Sequence, residues 1–420
     1  MICAGLNSGT SCDGIDVVIC SIEDDTEKKT RISHHILPVP KMKVLAFGSI
    51  RWEDDVRRRI FQLMRSHDLS AKDFCEMNVV IGKSFAGALQ TVCQDHAIDV
   101  SSIDVVGSHG QTIYHQVESN RFIKEDQNLI RSTLQIGEAS EIAMQLGVNV
   151  VSNFRTNDVS LGGQGAPLTS IFDFLMLRHA TSWRAIQNIG GIGNVTFVPP
   201  LDVGEDVDPS SLVVSFDTGP GNSLIDDCIR IVSNGTMNMD TDGEWGRRGN
   251  CHPKFFSDLC NSYNPYFEMD YPKTTGRELF GRDQVEKWID QRSNYDIDNY
   301  SLVSTFTELT AYSIVKSYEM VCKKSNIQSF EVVVAGGGQN NPYLMERIAH
   351  LLKETFQRTV PVFSHENLNH EQALNSNAKE GMLFALLAYL HEKQRPSNIP
   401  NVTGAIRCAC LGSKTVGKFQ

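Results

Sequence analysis

The sequence predicts an α/β protein of two domains, in which helices cover the sheets. Short β-branched runs alternate along the chain with segments whose apolar residues recur at helical spacing, and this alternation is typical of α/β folds. The length of 420 residues points the same way, because about 150 residues make an average domain and each domain of that size can bury a core. We find no fixed-period repeat and no low-complexity segment.

Five runs predict short, mostly buried strands and three longer segments predict helices. The strands are expected at residues 15–20, 105–107, 148–152, 211–216 and 331–338. The helices are expected at residues 76–94, 306–324 and 377–393. Two glycine-rich turns, one from residue 5 and one from residue 188, each stand directly before a strand. Such turns predict β-hairpins, because Gly, Asn, Ser and Thr favour tight turns.

Composition excludes several classes of function. The chain has 39 basic and 50 acidic side chains, a net charge of −11 and no block rich in Lys or Arg, which disfavours nucleic-acid binding. No apolar run approaches the roughly 18 residues that cross a bilayer, and residues 1–20 lack the pattern of a signal peptide. We therefore expect a cytoplasmic protein without a nucleic-acid or membrane partner. The oligomeric state stays open, with a homodimer as one option.

The eleven cysteines are scattered singly, apart from Cys408 and Cys410. The sequence has no CxxC pair and no spacing of His and Cys that is typical of a zinc site. An odd number of cysteines in apolar segments indicates reduced thiols. We expect neither a disulfide framework nor a protein-bound structural metal.

Three glycine-rich turns predict a site for the phosphates of a nucleotide. They lie at residues 5–14, 188–194 and 333–342, each next to a strand. Glycine lets backbone N–H groups approach phosphate oxygens closely, and Asp13 and Asp16 could accompany a cation. The turns match neither the P-loop nor the dinucleotide-binding pattern. Taken alone, the first turn has an ordinary hairpin as its alternative.

Asp217 is the candidate general base. It ends an apolar strand and is followed at once by Thr-Gly-Pro-Gly, which fixes a carboxylate at the mouth of a cleft. The alternative is an aspartate that caps the turn or the helix that follows. Asn222 and Asp226 lie four residues apart on that helix and could face a water-shelled Mg²⁺.

Three further polar clusters could bind a ligand. Residues 108–112 (SHGQT) end a strand, and His109 with His115 has the wrong spacing for a metal site. Arg155 could clamp a carboxylate or phosphate, or form a structural pair with Asp158. Residues 272–278 (PKTTGRE) are rich in phosphate- or sugar-binding side chains, although Lys273 could be a solvated surface charge.

Together these motifs resemble the anhydro-N-acetylmuramic acid kinase family of the actin/hexokinase/Hsp70-like ATPase superfamily. The resemblance runs from about residue 3 to residue 412 and includes SGTSCDGID, SHGQT, FRxxD…GGQGAPL, NIGGIGN, FDTGPGN, PKTTGRE, AGGGxN and VTGA…LG. It implies a two-lobed actin-like ATPase (ribonuclease-H-like) fold with a central cleft for nucleotide and sugar. It also implies an ATP-dependent kinase that opens a 1,6-anhydro bridge while the freed 6-oxygen takes the γ-phosphate.

The resemblance assigns roles to individual residues, with ATP and Mg²⁺ as cofactors. The base is Asp217. The nucleotide-binding residues are Gly9, Thr10, Ser11, Cys12, Asp13, Gly14, Ile15, Asp16, Gly190, Gly191, Gly336, Gly337 and Gly338. The sugar-binding residues are His109, Gln111, Arg155, Asp158, Gln164 and Glu380. One domain is expected at residues 1–155 plus 378–420 and the other at 156–377.

The sequence departs from the common family pattern at Asn7, where the opening usually has methionine, and at Asn153 and Glu138-Ala139. The anhydrosugar is therefore open between 1,6-anhydro-N-acetylmuramate, the leading substrate, and levoglucosan. A non-catalytic sugar- or nucleotide-binding regulator is the alternative of a different class, and loss of the base or of a phosphate turn would favour it. A dinucleotide-dependent oxidoreductase is excluded, since no GxGxxG opens a helix.

Overall fold

The computed structural model describes residues 1–65, 68–120, 130–204, 206–368 and 375–417. The chain divides into two compact units. The first unit contains Met1–Met176, Asp206–Leu212 and Asn377–Gln420, and the second contains Leu177–Glu205 and Val213–Ser376. The predicted α/β class is confirmed, because each unit has its own sheet and its own helices.

The strands of the described residues are β1 (Ile2–Ser8), β2 (Gly14–Ile32), β3 (His35–Arg51), β4 (Val105–Asn120), β5 (Ile130–Ile136), β6 (Asn149–Ser152), β7 (Trp183–Ile189), β8 (Gly193–Val198), β9 (Val214–Gly219), β10 (Phe330–Ala335), β11 (Val362–Ser364) and β12 (Ser413–Thr415). The helices are α1 (Asp54–Arg65), α2 (Ala71–Asp95), α3 (Ala139–Leu146), α4 (Phe154–Ser160), α5 (Thr169–Met176), α6 (Ser223–Val232), α7 (Glu244–Arg248), α8 (Pro253–Phe267), α9 (Arg282–Asp290), α10 (Asn299–Lys324), α11 (Pro342–Phe356), α12 (Lys379–Glu392) and α13 (Pro400–Thr403).

The two sheets repeat one strand pattern. In the first unit β1, β2 and β3 form an antiparallel meander, with β4 parallel to β1 and β6 parallel to β4. In the second unit β7, β8 and β9 form the meander, with β10 parallel to β7 and β11 parallel to β10. The two predicted glycine-rich hairpins are β1–β2 and β7–β8, so each opens one of the two meanders.

The predicted helices and strands are confirmed with shifted ends. Helix α2 begins one turn before residue 76 because Ser70 and Asp73 form a capping box. Helix α10 begins at Asn299, where the Asp298 side chain accepts a hydrogen bond from Ser301 N. Strand β10 stops at Ala335 rather than 338, because Gly336 turns the chain with a φ of +83°. A glycine tolerates this φ at no steric cost.

Helix α12 crosses the first sheet at close range and is buried nearly all round. A Cβ on Gly5 of β1 would lie 1.8 Å from the carbonyl oxygen of Gly381, and one on Gly107 of β4 would lie 2.0 Å from that of Phe384. Only glycine fits at these two positions. The close approach brings Glu380, at the start of α12, beside the end of β1.

The first unit extends to Met176, beyond the expected boundary after residue 155. Helices α4 and α5 stay with this unit through contacts to its C-terminal part. Asp158 of α4 accepts a hydrogen bond from Thr403 Oγ1 at 2.8 Å, and Asp173 of α5 pairs with Lys379 at 2.6 Å. Both ionic groups of the second pair are buried, where an unpaired charge would be costly.

All eleven cysteines are free in the structure. Among the described residues, no helix is both long enough and apolar enough to span a bilayer.

Candidate active site

Asp217 lies near the end of β9 in the second unit and is half-buried. Its Oδ2 accepts a hydrogen bond from the backbone N–H of Thr275 at 2.9 Å, and its carbonyl oxygen accepts one from the Tyr266 hydroxyl at 2.6 Å. Within the described residues, no hydrogen bond reaches its Oδ1. One carboxylate oxygen is thus fixed by the backbone while the other is open to a ligand.

The environment of Asp217 raises its pKa to about 6. Burial is the largest cause, since desolvation penalises the charged carboxylate. The Thr275 N–H opposes this effect by favouring the carboxylate, and the nearby charge of Glu278 adds to the rise. A carboxylate with a pKa just below neutrality is ionised at pH 7 and is still basic enough to accept a proton.

Three backbone turns meet beside β9. The Asn222 side chain donates to Ile189 O at 3.1 Å, and Asn222 N donates to Gly190 O at 2.8 Å. A Cβ on Gly336 would lie 2.5 Å from the Asn188 side-chain oxygen. The turns at 188–194, 220–222 and 336–341 therefore pack together in the second unit. Asn222 Nδ2 is occupied by this packing, whereas its Oδ1, the atom that could face Mg²⁺, accepts no hydrogen bond among the described residues.

The glycines of these turns fall into two groups. Gly336 and Gly338 are required by packing, because a Cβ on Gly338 would lie 2.2 Å from the Ile189 side chain and Gly336 has a positive φ. Gly190, Gly191 and Gly337 have room for a Cβ, with no described atom closer than 3.5 Å. Packing does not explain the glycines of the second group. An open backbone face of this kind suits a phosphate or a flat ligand.

Asp226 and Arg277 supply charge in this part of the second unit. Burial raises the pKa of Asp226 to about 6, with the charge of Arg230 opposing that rise more strongly than any other nearby charge, and Arg277 opposing it too. The exposed guanidinium of Arg277 makes no hydrogen bond within the described residues, and its Nη2 is 3.7 Å from where a Cβ of Gly191 would stand. Arg277 belongs to the polar motif at residues 272–278, from which no role for this arginine could be predicted.

The turn between β1 and β2 in the first unit is held by an arginine from outside it. Arg57 of α1 donates from Nε to Cys12 O at 2.7 Å and from Nη2 to Ser11 O at 3.4 Å. Gly9 has room for a side chain, since a Cβ would approach no described atom closer than Ser11 Oγ at 3.9 Å. The backbone of this turn is therefore braced on one side and open on the other.

The side chains of the predicted turn residues differ in what they can offer a ligand. Thr10, Ser11 and Asp13 are exposed, whereas Cys12 and Ile15 are buried in the core and can present only backbone groups. Asp16 is half-buried, and burial raises its pKa, with the Ser49 hydrogen bond opposing the rise. A Cβ on Gly14 would lie 3.0 Å from Ile50 O, which is closer than an ordinary contact, so the space beside this glycine is limited by β3.

His109 and Arg155 form a buried contact in the first unit. Arg155 donates from Nε to His109 Nε2 at 2.9 Å and from Nη1 to Gly165 O at 2.9 Å. Burial and the neighbouring guanidinium lower the pKa of His109 well below its usual value. The ring is therefore neutral, with its proton on Nδ1 because Nε2 accepts. Arg155 pairs with His109 and a loop carbonyl rather than with Asp158.

Two more predicted sugar-binding residues lie near this contact. Gln111 donates from Nε2 to Gly9 O at 3.3 Å, which links it to the first glycine-rich turn. Its Oε1 and the hydroxyl of Ser108 are buried without a hydrogen-bond partner among the described residues. Buried polar atoms without partners are costly, so these atoms are suited to a polar ligand. Glu380 accepts a hydrogen bond from Asn7 Nδ2 at 2.5 Å, and its charge acts on Arg155.

Asp158 is fully buried, and both of its oxygens are occupied. Oδ1 accepts from Asn398 Nδ2 at 2.9 Å and from Thr403 Oγ1 at 2.8 Å, while Oδ2 accepts from Gly165 N at 2.9 Å. This placement does not support the expected sugar contact. It gives Asp158 a structural role, in which the carboxylate holds the 161–168 loop that carries the half-exposed Gln164.

Several contributing residues were missed by sequence reasoning. Arg57 lies in the run RRR of a surface helix, which offers no local indication that one arginine reaches a distant turn. Asn398 and Thr403 meet Asp158 across 240 and 245 residues of sequence. Thr275 and Tyr266 bind Asp217 across 58 and 49 residues. Only a pairing of distant segments could have identified these partners.

Comparison with known proteins gives one family. The family model described as "Anhydro-N-acetylmuramic acid kinase" matches residues 1–417. A relative of that name from Caldanaerobacter subterraneus subsp. tengcongensis is 38% identical over 412 residues, which cover 97% of this chain and 95% of the relative. Relatives of the same name from Bacillus cereus (strain ATCC 10987 / NRS 248) and Acaryochloris marina are each 36% identical. The matches cover 99% of both chains for the first, and 97% of this chain and 98% of the relative for the second.

Among solved structures, the ROK hexokinase from Thermus thermophilus is similar at 10% identity, with a TM-score of 0.37 and coverage of 94% of this chain and 99% of that chain. A likeness of this size assigns no role to any residue.

Proposed function

The chain belongs to the anhydro-N-acetylmuramic acid kinase family, and we propose that it uses ATP to convert 1,6-anhydro-N-acetylmuramate into the sugar 6-phosphate. The observation that carries the mechanism is the arrangement of Asp217, whose Oδ2 is fixed by a backbone N–H while its Oδ1 is open. A pKa of about 6 makes this carboxylate a base at neutral pH.

The reaction couples two bond changes at the anhydro bridge. A water oxygen bonds to C1 of the sugar, the C1–O6 bond breaks, and O6 bonds to the γ-phosphorus of ATP as ADP departs. We assign the proton of the attacking water to Oδ1 of Asp217. Positioning contributes much of the rate of such a reaction, because a water held in line reacts far faster than one that diffuses in.

ATP binding is assigned to the open glycine turns. At Gly9 in the first unit, and at Gly190, Gly191 and Gly337 in the second, the space beside the backbone could hold a side chain without a clash. Phosphate oxygens accept hydrogen bonds from such backbone N–H groups. Gly14, Gly336 and Gly338 have a different role, since a Cβ on each of them would crowd neighbouring atoms. They shape the turns and are not needed as direct contacts.

We propose that Mg²⁺ accompanies ATP and is held mainly by phosphate oxygens and water. Among the described residues, no group of three or more His, Cys, Asp or Glu side chains could hold a metal by itself. This fits Mg²⁺, which keeps several waters and uses one or two carboxylates. Asp226 is half-buried and accepts no side-chain hydrogen bond among the described residues, so it suits an outer contact to hydrated Mg²⁺. When bound, the ion would neutralise charge on the phosphates.

Sugar recognition is assigned to His109, Gln111, Arg155 and Glu380 in the first unit. The neutral His109 ring carries a proton on Nδ1, and Gln111 Oε1 is buried without a partner among the described residues. These groups suit the hydroxyl and amide groups of a sugar, because buried polar atoms discriminate strongly against ligands that leave them unpaired. Gln164 stays a proposed sugar contact, and its backbone N–H binds Thr403 O at 2.8 Å.

The test is a coupled assay of ADP release with three sugars. We expect 1,6-anhydro-N-acetylmuramate to stimulate turnover in the wild type, and Asp217→Asn to abolish the stimulation. Stimulation by levoglucosan alone would select the alternative substrate. Stimulation by open-ring N-acetylmuramate alone would contradict bridge opening. If no sugar stimulates turnover but ATP and sugar both bind, the chain is a binding regulator.

A further inference from the structure

Lys273 is a buried cation that the mechanism above does not use. Its side chain is 3% exposed, which excludes the solvated surface charge that the sequence left open. Its Nζ donates to the carbonyl oxygens of Tyr266 and Phe267, each at 3.0 Å. These are the last two residues of α8, so the ammonium lies at the negative end of a helix dipole and satisfies carbonyls that the helix leaves free.

Aromatic rings complete the surroundings of the ammonium. Nζ lies 4.8 Å from the ring centre of Tyr266 and 5.6 Å from that of Phe216. Ring faces attract cations, which offsets part of the cost of burial. The rest of that cost lowers the pKa of Lys273 to about 8, with the charge of Asp270 acting in the opposite direction. Lys273 is therefore protonated at neutral pH, and its ammonium lies over the ring of Phe216, the residue before Asp217.

The residues that Lys273 holds are also those that hold Asp217. Asp217 N donates to Lys273 O at 3.1 Å, and Thr275 N donates to Asp217 Oδ2 at 2.9 Å. The Tyr266 hydroxyl donates to Asp217 O at 2.6 Å. Segment 272–275, the end of α8 and the end of β9 are therefore connected by hydrogen bonds. The Lys273 side chain connects segment 272–275 to the end of α8.

We propose that Lys273 is a positioning residue for Asp217, because its ammonium fixes segment 272–275 and the end of α8 in the arrangement that directs the Thr275 N–H at Oδ2. The proposal rests on the proposed role of Asp217 as the base. Without the ammonium, two carbonyl acceptors and two ring faces lose their partner, and the segment relaxes. The carboxylate then loses its orienting hydrogen bond.

The loss has a direction that can be measured. Burial and the charge of Glu278 raise the pKa of Asp217, whereas the Thr275 N–H lowers it. The Tyr266 hydroxyl binds the backbone carbonyl oxygen of Asp217 and not its carboxylate. Removal of the N–H contact raises the pKa of Asp217, because that contact favours the carboxylate. The acid limb of the pH profile of kcat should therefore move to higher pH when Lys273 loses its charge.

The experiment compares Lys273→Met with Lys324→Met. Lys324 is a matched control, because it pairs with Asp270 at 2.6 Å and lies 4.8 Å from the Tyr271 ring, next to the same segment, yet has no contact with Asp217. We expect Lys273→Met to lower kcat at least ~10-fold, with KM for ATP and sugar within about twofold, because only the base is displaced. We expect its acid limb to move upward, and Lys324→Met to leave kcat and the limb unchanged.

Two further variants separate positioning from folding. Lys273→Arg keeps a cation and should restore part of kcat and return the limb toward its wild-type position. Tyr266→Phe removes only the hydroxyl that binds Asp217 O, so it should fold even if Lys273→Met does not. A shift of the acid limb of the kcat profile to higher pH in Tyr266→Phe supports the proposal that these contacts position Asp217. A lower melting temperature in Lys273→Met with unchanged kcat and limb would overturn the proposal.

A readout without turnover keeps this proposal separate from the proposed function. The pKa of the Asp217 carboxyl can be followed by NMR titration of ¹³C-aspartate-labelled protein, with Asp217→Asn identifying the resonance. A higher pKa in Lys273→Met than in the wild type supports the positioning role, even if no sugar stimulates turnover. Equal pKa values in the two proteins contradict it, even if the wild type is an active kinase.

Discussion

Among single residues, two aspartates show how surroundings decide function. Asp158 is fully buried and its two oxygens accept three hydrogen bonds, so the protein itself satisfies most of its acceptor capacity. Asp217 accepts one backbone N–H at Oδ2 and keeps Oδ1 open. Both residues stand in motifs that the sequence marked as functional, and the difference between them lies in partners that are distant along the chain.

The wild-type pH profile should follow Asp217. Its pKa of about 6 predicts that kcat falls as the pH drops through 6, because the protonated carboxyl cannot accept the proton of water. Asp217→Asn should lower kcat on the order of 10²-fold or more while ATP still binds. The measurement is kcat between pH 5 and 8, with ATP affinity measured separately. Turnover near the wild-type value would remove Asp217 from this role.

The contribution of Asp217 to stability should fall as the pH rises, whereas kcat should rise with pH. The pKa of Asp217 is raised in the folded state, so its contribution to stability is fully present below the unfolded pKa and is lost as the pH rises through about 6. Asp217→Asn removes a buried charge while its amide oxygen can still accept the Thr275 N–H. The melting temperature of the variant should exceed that of the wild type at pH 7.5 by more than it does at pH 4.5. A difference independent of pH would contradict this.

Among the secondary-structure elements and their connections, the glycine-rich turns combine two kinds of glycine. Gly336 has a positive φ and contacts Asn188 and Ile189, so it serves the packing of the turns. Gly9 and Gly337 have no described atom within 3.7 Å of where a Cβ would stand, and neither has a positive φ. The same residue type therefore shapes the turns at some positions and leaves space for a ligand at others.

Substitutions should separate these two kinds. Gly9→Val and Gly337→Ala should keep the fold, because a side chain has room there, and should weaken ATP binding at least ~10-fold, equal to about 1.4 kcal/mol, by crowding the phosphates. Gly336→Ala is the contrasting control and should lower the melting temperature, since alanine is strained at a φ of +83°. Unchanged affinity for ATP in both open-turn variants would count against the nucleotide assignment.

In the molecule as a whole, two units repeat one strand pattern, and each holds different residues to which we assign a role. The first unit holds His109, Arg155, Glu380 and the Gly9 turn, and the second holds Asp217 with the residues that bind it. Each meander opens with a glycine-rich hairpin, which explains why two similar turns occur in one sequence.

Ligand binding should stabilise the folded chain. A ligand that binds only the folded state adds about 2.7 kcal/mol at 100 times its Kd, so ATP with Mg²⁺ should raise the melting temperature in a dose-dependent way. Chelation of Mg²⁺ with EDTA should reduce the shift if the ion accompanies the nucleotide. Gly9→Val should show a smaller shift than the wild type at the same ATP concentration. An equal shift with and without Mg²⁺ would exclude the ion from the bound state.

The order of residues along the chain was enough to predict the fold class, the two glycine-rich hairpins, the principal helices and the family, because hydrophobic period and turn chemistry are local and motif order is read directly. Packing in three dimensions was needed to establish that Asp158 is enclosed, that Lys273 is buried, and which glycines face open space. Asn7 meets Glu380 across 373 residues, and Asp158 meets Thr403 across 245. Burial and desolvation, which set the pKa of Asp217, exist only once such distant segments have packed together.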